Sequence, residues 1–286
     1  MSDLLKFTGY DPELEEREAL SAQCIDYDFG DFLCSGDIPD TRGIKDMMRR
    51  DDQWQMNSCA GFGLTNSAEV GFWLATGVWR QFNPHWSYRR GQEFSRIKGD
   101  NGATIHGVVR GGKENGLLPE DIENDGKPEF PYPKNQYDFR YPASASTIAK
   151  ERRIGYSVEL RSFQAMLNFL QGGQGAIVIG GPWGNWRPGA GGICDKFVSG
   201  GGGHARAYVD WIKIRGVWHL VEANSHFDNY GDNGFGYHTE RFVEAQCRDP
   251  RFVAIGISDI TLSPGDKPKQ RKIPRYVKLA GVSQTS

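Results

Sequence analysis

The stretch DQWQMNSCAGFGLTNSAEV, residues 52–70, places one cysteine between a polar run and an apolar run. From Ser58 to Thr76 the side chains are apolar on most sides, and Gly77 follows as a suitable C-cap. This pattern predicts a buried central helix with Cys59 in its first turn. The unpaired N–H groups and the dipole at a helix N-terminus favour a thiolate. Cys59 is therefore either a small core residue or a nucleophile, and the rest of the chain must decide between them.

Composition and charge exclude several classes of function. The chain has 286 residues, 38% of them apolar, and a formal net charge of −2. Such a charge argues against nucleic acid or an anionic membrane as a partner. No run approaches the roughly 18 apolar residues that span a membrane, and the N-terminus does not read as a secretory signal. We therefore expect cytoplasmic synthesis and reduced thiols. The scattered histidines form no ligand spacing and predict no metal site, and we expect no cofactor.

The apolar patterns change character along the chain. Helical patterns cover Ile105–Glu114 and Ser162–Leu170, a shorter one is expected at Pro12–Ala22, and a short strand at Tyr156–Glu159. Beyond residue 175, β-branched and aromatic runs alternate with glycine-rich turns, which is typical of strands. These runs are GAIVIG, HARAYVDWIKI, VWHLVEA, FGYHT and RFVAIGISDI. A helical half followed by a β half predicts an α+β fold with the active site between the halves.

A thiol nucleophile needs a base, and the base needs an acceptor that orients it. His204 follows four glycines and opens an aromatic β run, and Asn224 ends the next predicted strand. Gln53 lies six residues before Cys59, within reach of the same place. Trp183 and Trp186, in GPWGNW, are either core cover or a wall of the cleft. The order Cys, His, Asn, each at the edge of a regular element, favours the nucleophile over the core residue.

At these positions the sequence resembles the papain family of cysteine peptidases. The opening stretch is similar to the family's Asp-Gln…Ser-Cys-Trp-Ala-Phe segment, with the same Gln-to-Cys spacing and Glu69 at the matching place in the helix. GDNGATIHGVVRGGKENGL resembles the Asn-Gly-Cys-Asn-Gly-Gly segment, and LPEDIENDGKPEFPY the Glu…Tyr-Pro-Tyr stretch. GGHARAYVDW resembles the His-Ala strand, and NSHFDNYGDNGFGYHT the Asn-Ser-Trp-Gly segment. The matches run in order from about Ile38 to Asp259.

The resemblance implies a role for each matching residue. Cys59 is the nucleophile, and His204 is its partner in a thiolate–imidazolium pair. Asn224 orients the imidazole through its side-chain oxygen. Gln53 and the backbone N–H of Cys59 form the oxyanion hole. The implied activity is that of a cysteine endopeptidase acting on peptide or protein substrates.

Further positions imply contacts around the substrate. Gly102 matches one of two glycines whose backbone pairs with an extended substrate, and Ala103 replaces the other. Ala60 replaces the tryptophan after the nucleophile, which leaves that wall of the cleft more open. His226 stands where the family has a tryptophan that shields the His–Asn contact. An imidazole can stack there, but it titrates, so we expect an effect on the pH range more than on the chemistry.

The family's first conserved disulfide cannot form in this chain. Its two positions read Met56 and Asp100, as expected where disulfides do not persist. Cys194 and Cys247 have roughly the spacing of another family disulfide, and the sequence leaves open whether they pair or stay free and buried. The roughly 35 residues before the match are too few for the family's usual inhibitory prosegment.

The resemblance also divides the chain into parts. We expect an acidic N-terminal extension at residues 1–35, a papain-like peptidase domain at 36–262 and a basic C-terminal tail at 263–286. Within the domain, a helical lobe would cover about 50–150 and an antiparallel, barrel-like β lobe about 151–262. The active site would lie in the cleft between the lobes.

Other functions stay open at this point. The charged ends are either solvated tails or segments that dock on a protein partner or on each other. The fold would then serve as a structural or binding component of a larger assembly, for example a viral particle. A thiol amidase or a transglutaminase-like acyl transferase would share the Cys-His-polar order. The spacing of Gln53 and the NGFGYHT strand favour the peptidase.

Overall fold

A computed structural model describes residues 32–34, 38–120, 123–124, 127–184, 188–226, 230–266 and 276–278. The helices in these residues are α1 (Cys59–Thr76), α2 (Pro84–Ser95), α3 (Ile105–Glu114), α4 (Ala143–Lys150), α5 (Phe163–Gln171) and α6 (Glu240–Cys247). The strands are β1 (Phe32–Cys34), β2 (Glu123–Asn124), β3 (Lys127–Pro128), β4 (Ile154–Glu159), β5 (Gly175–Trp183), β6 (Ile193–Cys194), β7 (Gly202–Ile214), β8 (Val217–Ala223), β9 (Phe235–Thr239), β10 (Val253–Ile260) and β11 (Tyr276–Lys278). The helix expected at Pro12–Ala22 lies outside the described residues.

The central helix α1 is buried because its sequence is apolar on nearly every side. Every residue from Cys59 to Phe72 is buried. The helix packs against α2 on one side and against strands β5, β7 and β10 on the other. Gly77 ends it in the left-handed conformation, with φ 77°, and its N–H donates to the Trp73 carbonyl. The helix and the glycine cap predicted from the sequence are therefore confirmed.

Seven strands form one sheet in the order β4-β10-β5-β7-β8-β9-β6. The pairs from β4 to β9 are antiparallel, as expected for the β half. Edge strand β6 departs from this expectation, because it runs parallel to β9. A long connection from β5 brings β6 to the far edge, so no hairpin imposes the antiparallel direction on it.

The register of the sheet brings the expected site residues to one end. His204 lies near the start of β7, and Asn224 directly follows the last residue of β8. These two strands are antiparallel neighbours, so the start of one lies beside the end of the other. Helix α1 packs against β7, and its first residue is Cys59.

Apolar side chains cover both faces of the sheet. One buried cluster joins the strands to α5 and α6, with Phe169 and Phe242 among its members. The other joins them to α1 and α3, with Leu64, Phe72 and Val108. Full burial of such a side chain typically contributes about 1.5–3 kcal/mol. The two clusters hold the helix that carries the thiol and the strand that carries the imidazole in one packed unit.

Three helices do not follow from the sequence patterns: α2, α4 and α6. Side-chain caps begin two of them. Asn83 accepts the Trp86 N–H before α2, and Thr239 accepts the Phe242 N–H before α6. Each cap satisfies an N–H that the first turn leaves unpaired. Short helices of this kind depend mainly on tertiary packing, so their sequences carry little periodic signal.

Where elements were expected, their ends agree closely with the structure. Helix α3 has the expected bounds, α5 is shifted by one residue, and β4 begins two residues early. In addition, the backbones of β1 and β11 pair antiparallel over three residues each. Within the described residues, no helix is long and apolar enough to cross a membrane.

Candidate active site

Cys59 occupies the first turn of α1, and strand β7 passes directly beside it. The Ala205 N–H donates to Cys59 Sγ over 3.4 Å. Gly63 permits this approach, because a Cβ at that position would lie 2.8 Å from the Arg206 carbonyl oxygen. The N–H donor and the positive end of the helix dipole both favour a negative charge on this sulfur.

The imidazole of His204 is oriented by Asn224. Its Nε2 lies 3.0 Å from Asn224 Oδ1. Because an amide oxygen only accepts, Nε2 must carry the proton and donate it, which leaves the lone pair on Nδ1. Nδ1 is buried, and no residue that the structure describes hydrogen-bonds to it. The ring thus presents its basic nitrogen on the side away from Asn224, as a general base requires.

The surroundings of His204 do not favour an imidazolium by themselves. The residue is fully buried, with 0% of its surface exposed. Burial, and then the charges of His226 and Arg206, lower the pKa of His204 well below its ordinary value, while the hydrogen bond with Asn224 raises it. An imidazolium at this site therefore depends on a negative partner such as the Cys59 thiolate.

Two aromatic rings enclose the imidazole. The His226 ring stacks on His204, with centroids 4.5 Å apart and planes 16° from parallel. The Trp183 ring meets His204 edge to face at 4.6 Å. The stacking considered for His226 is thus present. Trp183 is buried and its ring contacts the imidazole, so it both covers the core and lines the site. Trp186 lies outside the described residues.

The Gln53 side chain is held at both ends of its amide. Oε1 accepts the Ser225 hydroxyl over 2.7 Å, and Nε2 donates one hydrogen to the Met56 carbonyl over 3.0 Å. The backbone N–H of Gln53 donates to the Ser225 carbonyl as well. Because the Met56 carbonyl can only accept, the amide end that meets it must be the NH₂, which therefore faces the loop before Cys59.

A hydrogen-bonded clamp connects the two segments that the family joins by its first disulfide. The Asn57 N–H and the Tyr88 hydroxyl both donate to Asp100 Oδ1 over 2.9 Å. Asn57 Nδ2 donates to the Asp100 carbonyl over 2.6 Å. Each such bond contributes on the order of 1 kcal/mol net. The clamp fastens the loop before Cys59 to the loop around Gly102 without a covalent bond.

The two residues expected to pair with substrate differ in their surroundings. Gly102 has a φ of 88°, its N–H donates to the Tyr88 hydroxyl, and its carbonyl accepts from Gln92 Nε2. The N–H is thus already engaged within the fold, while the carbonyl oxygen keeps a second lone pair for another donor. Ala103 is fully buried and follows directly. Substrate pairing by Gly102 or Ala103 stays a prediction.

Cys194 and Cys247 are free thiols, and of the two only Cys194 is fully buried, since Cys247 is half-buried. Burial raises the pKa of the Cys247 thiol to about 12, and burial also raises the pKa of Cys194 above its ordinary value. Neither forms the thiolate that disulfide exchange needs at neutral pH. In the described part of the chain, no group of His, Cys, Asp or Glu side chains has the arrangement of a metal site.

We expect thermal melting curves recorded with and without reductant to coincide. The clamp at Asp100 replaces one family disulfide, and Cys194 and Cys247 are free. Melting is followed by far-ultraviolet circular dichroism, and Asp100→Ala should lower the midpoint equally in both buffers. A midpoint that falls by several degrees in reductant alone would instead reveal a bridge between Cys194 and Cys247.

His226→Trp should extend activity to lower pH. A protonated His226, stacked on His204, repels the imidazolium and so disfavours the thiolate–imidazolium pair. The thiolate partly offsets this repulsion, so the acid limb of kcat/KM should move by about one unit or less. The measurement is kcat/KM against pH for both proteins on one uncharged substrate. Superimposable acid limbs would mean that His226 is only a packed ring.

Sequence reasoning did not single out Arg206 and Glu222, which are both fully buried next to the site. A signal was present. Residues two apart in a strand share a face, and Arg206 follows His204 by two residues while Glu222 precedes Asn224 by two. A charged side chain at a position predicted to be buried therefore points to a partner across the sheet.

Comparison with known proteins gives structural matches only, since neither a protein-family profile nor a curated protein matches the chain. Xylellain, a cysteine protease from Xylella fastidiosa, has a TM-score of 0.66 at 16% identity, covering 89% of this chain and 96% of xylellain. The Amb a 11 cysteine protease of ragweed pollen, in its proform, has a TM-score of 0.60 at 14% identity. That match covers 90% of this chain and 76% of the proform. Digestive procathepsin L 3 of Tenebrio molitor has a TM-score of 0.58 at 13% identity, and the match covers 85% of this chain and 79% of the procathepsin. At these identities the likeness shows the fold, and the expected α+β class is confirmed.

Proposed function

Because the chain has the papain-like fold of these cysteine proteases, we propose that it is a cysteine peptidase that hydrolyses peptide bonds. The observation that carries the proposal is the meeting of three residues from distant parts of the sequence. Cys59 lies at the start of α1 beside the Ala205 N–H, and the neighbouring His204 is hydrogen-bonded to Asn224. A core cysteine needs neither an oriented imidazole nor a helix N-terminus.

The proposed reaction follows from the roles of these atoms. Cys59 Sγ attacks the carbonyl carbon of the scissile bond, forming a C–S bond and an oxyanion. The backbone N–H of Cys59 and the side-chain NH₂ of Gln53 stabilise that oxyanion. His204 delivers the proton that it took from the thiol to the leaving amine as the C–N bond breaks. Water then attacks the thioester with His204 as base, releasing the acid and restoring the thiol.

The test is hydrolysis of an unfolded protein substrate, together with covalent labelling by a thiol-directed peptidyl epoxide. The expected result is turnover that the epoxide stops, with one label on Cys59. Cys194→Ala serves as the matched control, because it removes another buried thiol and should leave both readouts unchanged. Labelling elsewhere, or no hydrolysis by the folded protein, would contradict the proposal.

A structural role in a larger assembly is the second candidate, and one observation favours it. Neither Cys59 nor His204 has any exposed surface. A peptide therefore reaches the thiol only if neighbouring side chains move aside. The epoxide distinguishes the candidates, since a purely structural protein would leave Cys59 unlabelled while remaining folded.

A further inference from the structure

A buried ionic cluster lies behind the catalytic imidazole and amide, and the proposed reaction does not use it. Glu222 is fully buried, and its Oε1 lies 3.4 Å from Arg206 Nε. Its Oε2 accepts the Tyr230 hydroxyl over 2.7 Å and contacts His238 Nε2. Burial raises the pKa of Glu222, but the charges of His238 and Arg206 outweigh this effect and hold it below its ordinary value. Glu222 is therefore ionised inside the fold.

Stability alone does not account for such a cluster. Removing a charged group from water costs several kcal/mol even after relaxation, and the attraction within the pair only partly repays that cost. Apolar side chains of similar volume often give equal or greater stability at such positions. A buried carboxylate at Glu222 therefore calls for a second role that an apolar residue could not perform.

One contact of the carboxylate points to that role. Asn224 Nδ2 donates to Glu222 Oε1 over 3.2 Å. This bond determines which end of the Asn224 amide faces His204. If the amide turned over, its NH₂ would face the N–H of the imidazole and its oxygen would face the carboxylate. The contact of the amide oxygen with the carboxylate would be repulsive in either tautomer of His204, and the contact with His204 would be repulsive while Nε2 carries the proton, so the carboxylate favours a single orientation.

The geometry of the strands supports both partners of the catalytic hydrogen bond. Arg206 lies two residues after His204 on β7, and Glu222 lies two residues before Asn224 on β8. The Arg206 guanidinium also lies over the Trp183 ring, 4.9 Å from its centroid, and that ring packs against His204. Through Arg206 the ion pair therefore contacts Trp183, which packs against the imidazole, and through Glu222 it contacts the Asn224 amide directly.

We propose that Glu222, held by Arg206, is a positioning residue for the thiol reaction, keeping the Asn224 amide oxygen directed at His204. The inference rests on the proposed peptidase function and adds a residue to its machinery. Glu222 touches neither substrate nor the reacting atoms, and no bond forms or breaks on it. It acts only through the orientation of Asn224.

Glu222→Gln tests the proposal because it keeps the shape and removes the charge. The new amide can turn its NH₂ toward Asn224, which releases the single orientation. We expect kcat to fall roughly tenfold with KM nearly unchanged, as for the loss of one hydrogen bond to a charged group. The rate at which iodoacetamide alkylates Cys59 at mildly acidic pH should fall in parallel, since it reports the thiolate–imidazolium pair.

Tyr208→Phe is the matched control. The Tyr208 hydroxyl hydrogen-bonds to His238 and Gln246 in the same buried network, and none of its described contacts is to Asn224. The Tyr208→Phe variant should have a lower melting temperature but an unchanged kcat and an unchanged alkylation rate. If kcat and the alkylation rate fell by similar factors in Tyr208→Phe and in Glu222→Gln, the proposal would be overturned. It would also be overturned if Glu222→Gln kept the kcat and the alkylation rate of the unsubstituted chain.

A double-mutant cycle locates the effect. In an Asn224→Ala background, Glu222→Gln should cost no further activity, because the residue through which it acts is gone. An undiminished additional loss would overturn the proposal. If Glu222→Gln does not fold, Glu222→Asp takes its place, since it keeps the charge and shortens the reach to Asn224. Alkylation needs no peptide, so a folded protein that alkylates as expected but hydrolyses nothing would refute the peptidase function alone.

Discussion

Cys59→Ala is expected to abolish peptide hydrolysis while the fold survives. The substitution removes the thiol in the first turn of α1, and with it the atom proposed to attack the carbonyl. Removing the nucleophile from such a catalytic unit costs at least about 10⁴ in kcat. Alanine is the best helix former and is only slightly smaller than cysteine, so α1 should remain intact. The main structural loss is the contact between Sγ and the Ala205 N–H.

The measurement compares purified proteins on one unfolded protein substrate, with circular dichroism to verify folding. Cys194→Ala is again the control, because Cys194 is also buried but lies on the edge strand β6. Its activity should equal that of the unsubstituted chain. More than trace hydrolysis by folded Cys59→Ala, free of contaminating protease, would show that another residue performs the attack.

Gln53→Ala is expected to lower kcat by roughly 10²–10³, about 3 kcal/mol, with a much smaller change in KM. The side-chain NH₂ of Gln53 would donate to the substrate's carbonyl oxygen only as negative charge develops on that oxygen. Losing the NH₂ therefore raises the free energy of the transition state more than it weakens substrate binding. Gln53→Glu should be at least as damaging. It keeps the acceptor for Ser225 but replaces the donor by a carboxylate oxygen, which repels the oxyanion.

Ser225→Ala separates this chemical role from a structural one. The Ser225 hydroxyl donates to Gln53 Oε1, so its removal loosens the amide but leaves the NH₂ in place. We expect a loss of activity well below that of Gln53→Ala. An unchanged kcat with an altered KM in Gln53→Ala would remove Gln53 from the oxyanion hole and make it a binding residue.

Some elements of the fold can be predicted from the sequence and others cannot. The uninterrupted apolar run after Ser58 predicts α1, and the β-branched runs predict β5, β7, β8, β9 and β10. These patterns work because hydrophobic burial is repeated at every position of the element. Helices α2 and α6 depend instead on a single capping residue each, Asn83 and Thr239, and on packing that no local pattern records.

By itself, the sequence determined the buried helix that begins at Cys59, because an apolar run along the chain records burial directly. It also predicted that Gln53, His204 and Asn224 act with Cys59. Only the tertiary structure decided how the expected neighbours of His204 are arranged, and only it revealed the contact of Glu222 with Asn224. Trp183 and His226 enclose its ring, and Glu222 fixes the amide that orients it. The physical reason is that strand register, which no local pattern specifies, brings separate strands together at one end of the sheet.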